Sequence, residues 1–255
     1  MSDGRPGRFL AVDAEGFLVK DVGLDRVPPA WGPAVEAAVE AYRAALGADL
    51  HSVWLRGSAV SGHAVLGVSD LDTLALARRA PGAGGLWVDL PGLVEAEAML
   101  TAPGCTGVEL CAASVDALAT ERGAFLRFLL ATQGCRVEGE AVSLPRYRVD
   151  RSICFVSGHV VGALRVARRD VSTDEDPPGL TRWLAKTLVR AGLERVLERD
   201  GRYARDLWPC YLAFAAHEPE HAPWMLRAVD AAVEPGEGDL EFLLEVLGPW
   251  LVAGM

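Results

Sequence analysis

The stretch that decides the fold is residues 54–77, which read WLRGSAVSGHAVLGVSDLDTLALA. It predicts a strand that ends at Gly57 and Ser58, a loop or short helix, and a second strand that opens with Asp70 and Asp72. Side chains two residues apart on a strand lie on the same face, so the two carboxylates point the same way. Neighbouring carboxylates repel each other unless a cation lies between them. The pattern therefore predicts a divalent metal held by oxygen ligands.

A third carboxylate belongs to the next predicted strand, where Glu109 has apolar neighbours. If the strands are neighbours in one sheet, Glu109 can face the aspartate pair. Three carboxylates at one sheet edge would hold two Mg²⁺ ions that bridge phosphate oxygens and an attacking group. Gly57 allows a phosphate to approach the backbone closely, and Ser58 can donate hydrogen bonds to it. Glu109 would complete the metal site or take the proton from an attacking hydroxyl.

Composition excludes several classes of protein. A formal charge of −10 on 255 residues argues against a protein whose main affinity is for nucleic-acid phosphates. Five cysteines without a CxxC pair indicate reduced thiols rather than a zinc site or a disulfide framework. Because we find neither a signal peptide nor an apolar run long enough to cross a bilayer, we expect a cytoplasmic protein without a membrane partner.

Strand patterns dominate before residues 140–150 and helical patterns dominate after them, which predicts domains at 1–145 and 146–255. In the first half we predict a hairpin at 9–19, helices at 30–46, 91–101 and 115–131, and strands at 52–56, 71–77, 106–113 and 135–139. In the second half we predict helices at 153–167, 182–198, 207–216, 224–233 and 240–252, and an acidic loop at 170–179.

The motif of Leu55–Ser58 followed by Ser69–Leu74 resembles the Gly-Ser…Asp-x-Asp signature of polymerase-beta-type nucleotidyltransferases. Glu109 matches the third carboxylate of that superfamily. The arrangement is similar to aminoglycoside nucleotidyltransferases in which a catalytic domain precedes a helical bundle. The resemblance implies an α/β (α+β) fold with a small mixed sheet followed by helices. It also implies an active site in the cleft between the domains, with Asp70, Asp72 and Glu109 as metal ligands and catalytic residues.

The second half resembles the family segment in which cations of the helical domain reach the triphosphate. The resemblance implies nucleotide-binding roles for Lys186, Arg190 and Arg205. An alternative for Lys186 and Arg190, which are one helical turn apart, is a solvated face that is ion-paired with Glu194. Ser69 either contacts a phosphate or caps a turn.

The family implies a two-metal reaction in which an acceptor hydroxyl attacks the α-phosphorus of a nucleoside triphosphate and pyrophosphate leaves. We expect AMP from ATP as the transferred group and a small hydroxylated acceptor, of which an aminoglycoside is the most concrete version. Residues 174–176, all acidic, could attract a cationic acceptor. We expect a monomer that binds no nucleic acid. Two alternatives stay open: an enzyme that nucleotidylates protein side chains, and a nucleotide-binding regulator without turnover.

Overall fold

The computed structural model describes residues 7–78, 86–171 and 177–254. The chain divides into two compact units, one formed by residues 19–147 and the other by residues 7–18 together with 148–254. The first contains the predicted sheet with helices beside it and the second is helical, so the mixed α/β class with a following set of helices is confirmed. The glycine-rich run at residues 81–85, which predicts a loop, and the acidic residues 174–176 lie outside the described residues.

The sheet of the first unit is mixed. Its strands, in chain order, are β1 (Leu50–Arg56), β2 (Leu71–Ala77), β3 (Val108–Ser114) and β4 (Cys135–Gly139). Their order across the sheet is β3-β2-β1-β4. β1 is antiparallel to both β2 and β4, whereas β2 and β3 are parallel. A parallel pair needs a crossover connection, and that connection contains the helix α3 (Pro91–Met99). The four predicted strands are thus confirmed.

Helices cover both faces of the sheet. Leu71 and Ala75 of β2 belong to one hydrophobic core with residues of α1 (Gly32–Leu46) and α3. Leu74 and Leu76 belong to a second core with residues of α4 (Ala124–Gln133). A strand buried on both faces reads as a near-continuous apolar run, which is the pattern of β2. Asp72 is the charged exception within it.

The helix predicted at 115–131 begins later than its apolar pattern indicates. Two 3₁₀ turns, Asp116–Ala119 and Glu121–Gly123, precede α4. Thr120 between them has an extended backbone, and its hydroxyl donates to the carbonyl of Ala117 at 2.7 Å. A Cβ at Gly123 would lie 2.1 Å from that same carbonyl oxygen. The tight packing of glycine against this turn explains why the regular helix starts only afterwards.

The second unit is helical. Its α-helices, within the described residues, are α5 (Val160–Asp170), α6 (Pro177–Asp200), α7 (Leu207–His217), α8 (Ala222–Ala231), α9 (Asp239–Phe242) and α10 (Gly248–Ala253).

 3₁₀ turns at Arg151–Ile153 and Ser157–His159 precede α5, so the helix predicted at 153–167 also begins later than expected. The carboxylate of Glu194 on α6 accepts hydrogen bonds from backbone N–H groups in this stretch, so these groups do not donate within a regular helix.

Two other helix boundaries differ from the prediction. The predicted loop at 170–179 is wrong at its end, because α6 already begins at Pro177, where a proline lacks only an N–H that a first helical turn leaves unused. The helix predicted at 240–252 is divided by a π-helical turn, Leu243–Leu247, between α9 and α10. Within the described ranges, no helix is long and apolar enough to cross a membrane.

Residues 9–19 form less of a hairpin than predicted. A turn at Gly16, whose φ is +83°, brings Val12 and Leu18 into a single antiparallel bridge. Phe17 makes another bridge to Arg148, the first residue after the unit of residues 19–147. The N–H of Leu10 also donates to a carbonyl of the second unit, that of Tyr203, at 2.8 Å. The N-terminal segment therefore groups with the helices rather than with the sheet.

Candidate active site

Three charged residues form a row across one end of the sheet. Arg56, the last residue of β1, lies opposite Asp72 in the antiparallel register, and Asp72 lies opposite Glu109 in the parallel register. Residues opposite each other in neighbouring strands present their side chains on the same face. Asp70 comes two residues before Asp72, directly ahead of β2. The structure therefore brings Asp72 and Glu109 together as predicted.

The guanidinium of Arg56 joins the two carboxylates. Its Nη2 lies 3.1 Å from Oδ1 of Asp72 and 2.8 Å from Oε2 of Glu109. Burial opposes the charge of Arg56, but the charges of Asp72 and Glu109 outweigh it and raise the pKa of the guanidinium; Asp70 adds a smaller contribution of the same sign. The cation that the carboxylate pair requires is therefore supplied, in this structure, by a side chain of β1.

Glu109 is the most accessible member of the row, with 42% of its side chain exposed. Its second oxygen, Oε1, accepts a hydrogen bond from the thiol of Cys111 at 3.1 Å. Burial, followed by the nearby Glu109 carboxylate, raises the pKa of Cys111 to about 12, so this thiol stays protonated and remains a donor. Glu109 is thus held in place on both oxygens while part of its surface faces solvent.

The turn after β1 is shaped by Gly57. Its φ of +75° and ψ of −152° belong to a region that essentially only glycine adopts. A short helix, α2 (Ser58–Ser61), begins at the next residue, where the backbone carbonyl of Ser58 accepts from the N–H of His63 at 3.1 Å. Of the loop or short helix predicted after this turn, the structure therefore has the short helix. Because Gly57 has no Cβ, the carboxylate of Asp72 can lie close to the backbone of this turn.

A buried hydrogen-bond chain fixes the backbone beneath the row. The hydroxyl of Thr73 donates to the backbone carbonyl of Glu109 at 2.8 Å and lies 2.6 Å from the hydroxyl of Tyr42 on α1. Because the Thr73 proton is directed at Glu109, the Tyr42 hydroxyl is the donor to Thr73. Burial raises the pKa of Tyr42, which keeps that hydroxyl protonated. The chain ties α1, β2 and β3 together beside the two carboxylates.

Ser69 closes the turn that leads into β2. Its Oγ accepts a hydrogen bond from the N–H of Val65 at 2.9 Å, and its own N–H donates to the Val65 carbonyl at 2.8 Å. Its carbonyl accepts from the N–H of Thr106 at 3.0 Å, which links this turn to the segment before β3. These bonds are those of the turn-capping role. They also set the position at which Asp70 leaves the turn.

The residues predicted as metal ligands carry the oxygen donors that Mg²⁺ prefers, but in the described residues they are not grouped as a metal site. Among residues 7–78, 86–171 and 177–254, no three His, Cys, Asp or Glu side chains are grouped so that they could hold a metal ion. Asp70, Asp72 and Glu109 nevertheless offer carboxylate oxygens only, the donors that Mg²⁺ takes. Two of the three share Arg56, which occupies the position of a counter-ion. The donor set thus fits a hard divalent cation such as Mg²⁺.

The predicted cations of the helical unit lie on and beside α6. Lys186 and Arg190 are one turn apart and half-buried, and Nε of Arg190 donates to the backbone carbonyl of Arg205 at 3.2 Å. Glu194 is only 7% exposed and accepts from the N–H groups of Val156 and Ser157, at 3.0 and 2.6 Å.

The alternative of a solvated face that includes Glu194 is therefore wrong for this glutamate. Burial raises the pKa of Glu194, and the two backbone donors oppose that shift. Glu194 fixes the turn before α5, whereas Arg190 is brought together with the segment that carries Arg205.

Sequence reasoning missed one member of the row, Arg56, and three side chains around it, namely Tyr42, Thr73 and Cys111. Arg56 carried a signal, because it is a charged residue that follows the apolar run Val53–Leu55 and precedes a glycine. Its partners could be found only from the antiparallel register of β1 and β2. Thr73 and Cys111 looked like ordinary strand residues, and Tyr42 looked like a core position of α1.

The four-stranded mixed sheet and the helices that follow it agree with the expected fold class, and a solved structure shares this fold. Among solved structures, the chain is similar to spectinomycin adenyltransferase AAD(9) from Enterococcus faecialis, determined with ATP and spectinomycin. The TM-score is 0.54 at 13% sequence identity, and the match covers 86% of this chain and 98% of that one. At this identity the likeness shows the fold. No protein-family model and no curated protein matches the sequence.

Proposed function

We propose that the protein is a Mg²⁺-dependent nucleotidyltransferase that transfers AMP from ATP to a hydroxyl of a small acceptor and releases pyrophosphate. The observation that carries the proposal is the pairing of Asp72 with Glu109 across β2 and β3, with Asp70 two residues earlier and Gly57 beside them. Carboxylates gathered at one end of a sheet can hold the metal ions that phosphoryl-group transfer uses, which supports the proposal. The protein's own contribution would come from positioning and charge neutralisation.

Asp70, Asp72 and Glu109 are the residues that would hold the metal. Bound there, Mg²⁺ would neutralise charge on the phosphates and increase the acidity of an attacking hydroxyl. Glu109 is the candidate general base, because its side chain is partly exposed while Asp72 is more deeply buried. Gly57 would let a phosphate come close to the backbone, with Ser58 and Ser69 as further contacts.

The helical unit would supply cations for the triphosphate. Lys186 and Arg190 are adjacent on one face of α6, and the contact of Arg190 with the backbone of Arg205 keeps two arginines in one region. Guanidinium and ammonium groups are the usual partners of phosphate oxygens. We propose that these three residues bind the nucleotide and that the chain has domains at 1–145 and 146–255.

The acceptor that merits the first test is spectinomycin, followed by aminoglycosides. The similar solved structure was determined with ATP and spectinomycin, and the net charge of −10 suits a cationic acceptor. We propose that the enzyme acts as a monomer in the cytoplasm on small molecules, without a nucleic-acid partner.

Isothermal titration with ATP tests the nucleotide and metal parts of the proposal. Wild type should bind ATP in the presence of Mg²⁺ and lose most of that affinity when EDTA removes the metal. Asp72→Asn should bind ATP weakly under both conditions. Asp116→Asn, which removes an exposed carboxylate outside the row, is the matched control and should behave as wild type. Binding by wild type that ignores Mg²⁺ contradicts the proposal.

A further inference from the structure

Arg56 is the residue of the site that the proposed function does not use. It ends a strand whose preceding residues, Val53, Trp54 and Leu55, are buried and apolar, and 23% of its side chain is exposed. One guanidinium nitrogen contacts both Asp72 and Glu109. The sheet register imposes this meeting, because Arg56, Asp72 and Glu109 are consecutive partners across β1, β2 and β3.

The contact between Arg56 and the two carboxylates affects both the stability of the row and its affinity for a metal ion. A carboxylate that is partly buried without a counter-charge is costly, and removing one partner of a buried ion pair leaves the other uncompensated. Arg56 therefore stabilises the row when no metal is bound. The same contact opposes metal binding, since a divalent cation needs the oxygens that the guanidinium holds.

We propose that Arg56 is a positioning residue that acts as an internal counter-ion and competes with a divalent cation for Asp72 and Glu109. This inference rests on the proposed function and names how that site is kept ordered without metal. Arg56 keeps the carboxylates ordered in the metal-free protein and lowers their affinity for metal. Once released from the carboxylates, the guanidinium can donate two parallel hydrogen bonds to phosphate oxygens. A bound nucleotide would therefore favour the state in which Arg56 has left the carboxylates.

Mn²⁺ binding, followed by the electron paramagnetic resonance signal of the free ion, tests the competition without any turnover. Arg56→Gln keeps a hydrogen-bond donor and removes the charge, so it should bind Mn²⁺ about tenfold more tightly than wild type. Arg43→Gln is the matched control, because it removes one arginine of the same unit whose partners, Glu40 and Glu138, lie outside the row. Its Mn²⁺ affinity should equal that of wild type.

Thermal unfolding gives a second readout. Without metal, Arg56→Gln should melt at a lower temperature than wild type, and saturating Mn²⁺ should raise its melting temperature by more than it raises that of wild type.

A third measurement uses the wild-type fold and so does not depend on whether Arg56→Gln folds. In NMR spectra of protein with ¹⁵N-labelled arginine, the Nε–H signal of Arg56 is assigned by comparison with Arg56→Lys, whose spectrum lacks that signal. That signal should shift as Mg²⁺ is added. An unchanged signal at saturating Mg²⁺ contradicts the inference.

The outcomes separate the inference from the proposed function. If wild type binds Mn²⁺ and Arg56→Gln binds it equally or more weakly, the competition is wrong and the metal-dependent function stands. If neither protein binds Mn²⁺, both are wrong.

Discussion

Gly57 lies against the carboxylate of Asp72, so that a Cβ at Gly57 would lie 2.3 Å from Oδ2 of Asp72. Gly57→Ala should therefore displace this carboxylate and strain a backbone with φ of +75°. We expect a loss of about 1–3 kcal/mol in the free energy of unfolding, measured in urea, and loss of Mg²⁺-dependent ATP binding.

Gly67→Ala is the matched control for Gly57→Ala. Gly67 has a similar φ of +80°, but nothing lies within 4 Å of a Cβ placed there. It should lose stability through backbone strain and keep ATP binding. Equal losses of ATP binding in the two variants would show that the contact with Asp72 is irrelevant.

The hydrogen-bond chain from Tyr42 through Thr73 to the Glu109 backbone should be cooperative. Tyr42→Phe removes one donor and should cost about 1 kcal/mol of unfolding free energy. Thr73→Val leaves both the Tyr42 hydroxyl and the Glu109 carbonyl without this partner, and should cost about 1–3 kcal/mol. Urea unfolding of both single variants and the double variant measures the coupling. Strictly additive losses would contradict a connected chain.

Asp200 predicts a pH dependence in the helical unit. Its side chain is 2% exposed and pairs with Arg202 and His217. The hydrogen bond with Arg202 is the main cause that lowers the pKa of Asp200. A carboxyl group whose pKa is lower in the folded state stabilises the fold above its unfolded pKa, and this contribution is lost as the pH falls through the folded pKa.

Asp200→Asn should therefore cost about 2 kcal/mol at pH 7, and the difference from wild type should shrink as the pH falls below the unfolded pKa of an aspartate, about 3.9. Urea unfolding across this range measures it, with the exposed Glu237→Gln as control. A cost that is independent of pH would contradict the role of the ionised carboxylate.

Lys186 tests the contribution of the helical unit to nucleotide binding. Lys186→Met should weaken Mg²⁺–ATP binding about tenfold or more, because a charge-assisted phosphate contact is lost. Arg227→Met is the control, since Arg227 pairs with Asp239 in the same unit. Titration calorimetry gives both affinities, and circular dichroism checks the fold. Equal affinities in the two variants would remove Lys186 from the site.

The strands of the site were predictable because their apolar runs and the glycine turn are local signals. The spacing of Asp70 and Asp72, and the apolar surroundings of Glu109, sufficed to predict that the carboxylates share one sheet end. The partner of that pair was not predictable in the same way. Arg56 reaches Asp72 through the register of two antiparallel strands, which the sequence of either strand does not specify.

Helix starts were the less predictable part of the fold, because tertiary contacts override apolar periodicity. Glu194, far along the chain, captures the N–H groups of Val156 and Ser157 and delays α5. Gly123 packs against the Ala117 carbonyl and delays α4. In both cases the deciding contact is made by a residue outside the periodic pattern.

Transfer of label from ATP tests the central claim most directly. Wild type is incubated with Mg²⁺, ATP labelled at the α-phosphate, and a panel of spectinomycin, aminoglycosides and other hydroxylated small molecules. The account predicts an acceptor that carries labelled AMP, one pyrophosphate released for each, and a rate about 10³-fold lower in Asp72→Asn. Release of inorganic phosphate without label transfer, or an undiminished rate in Asp72→Asn, would contradict it.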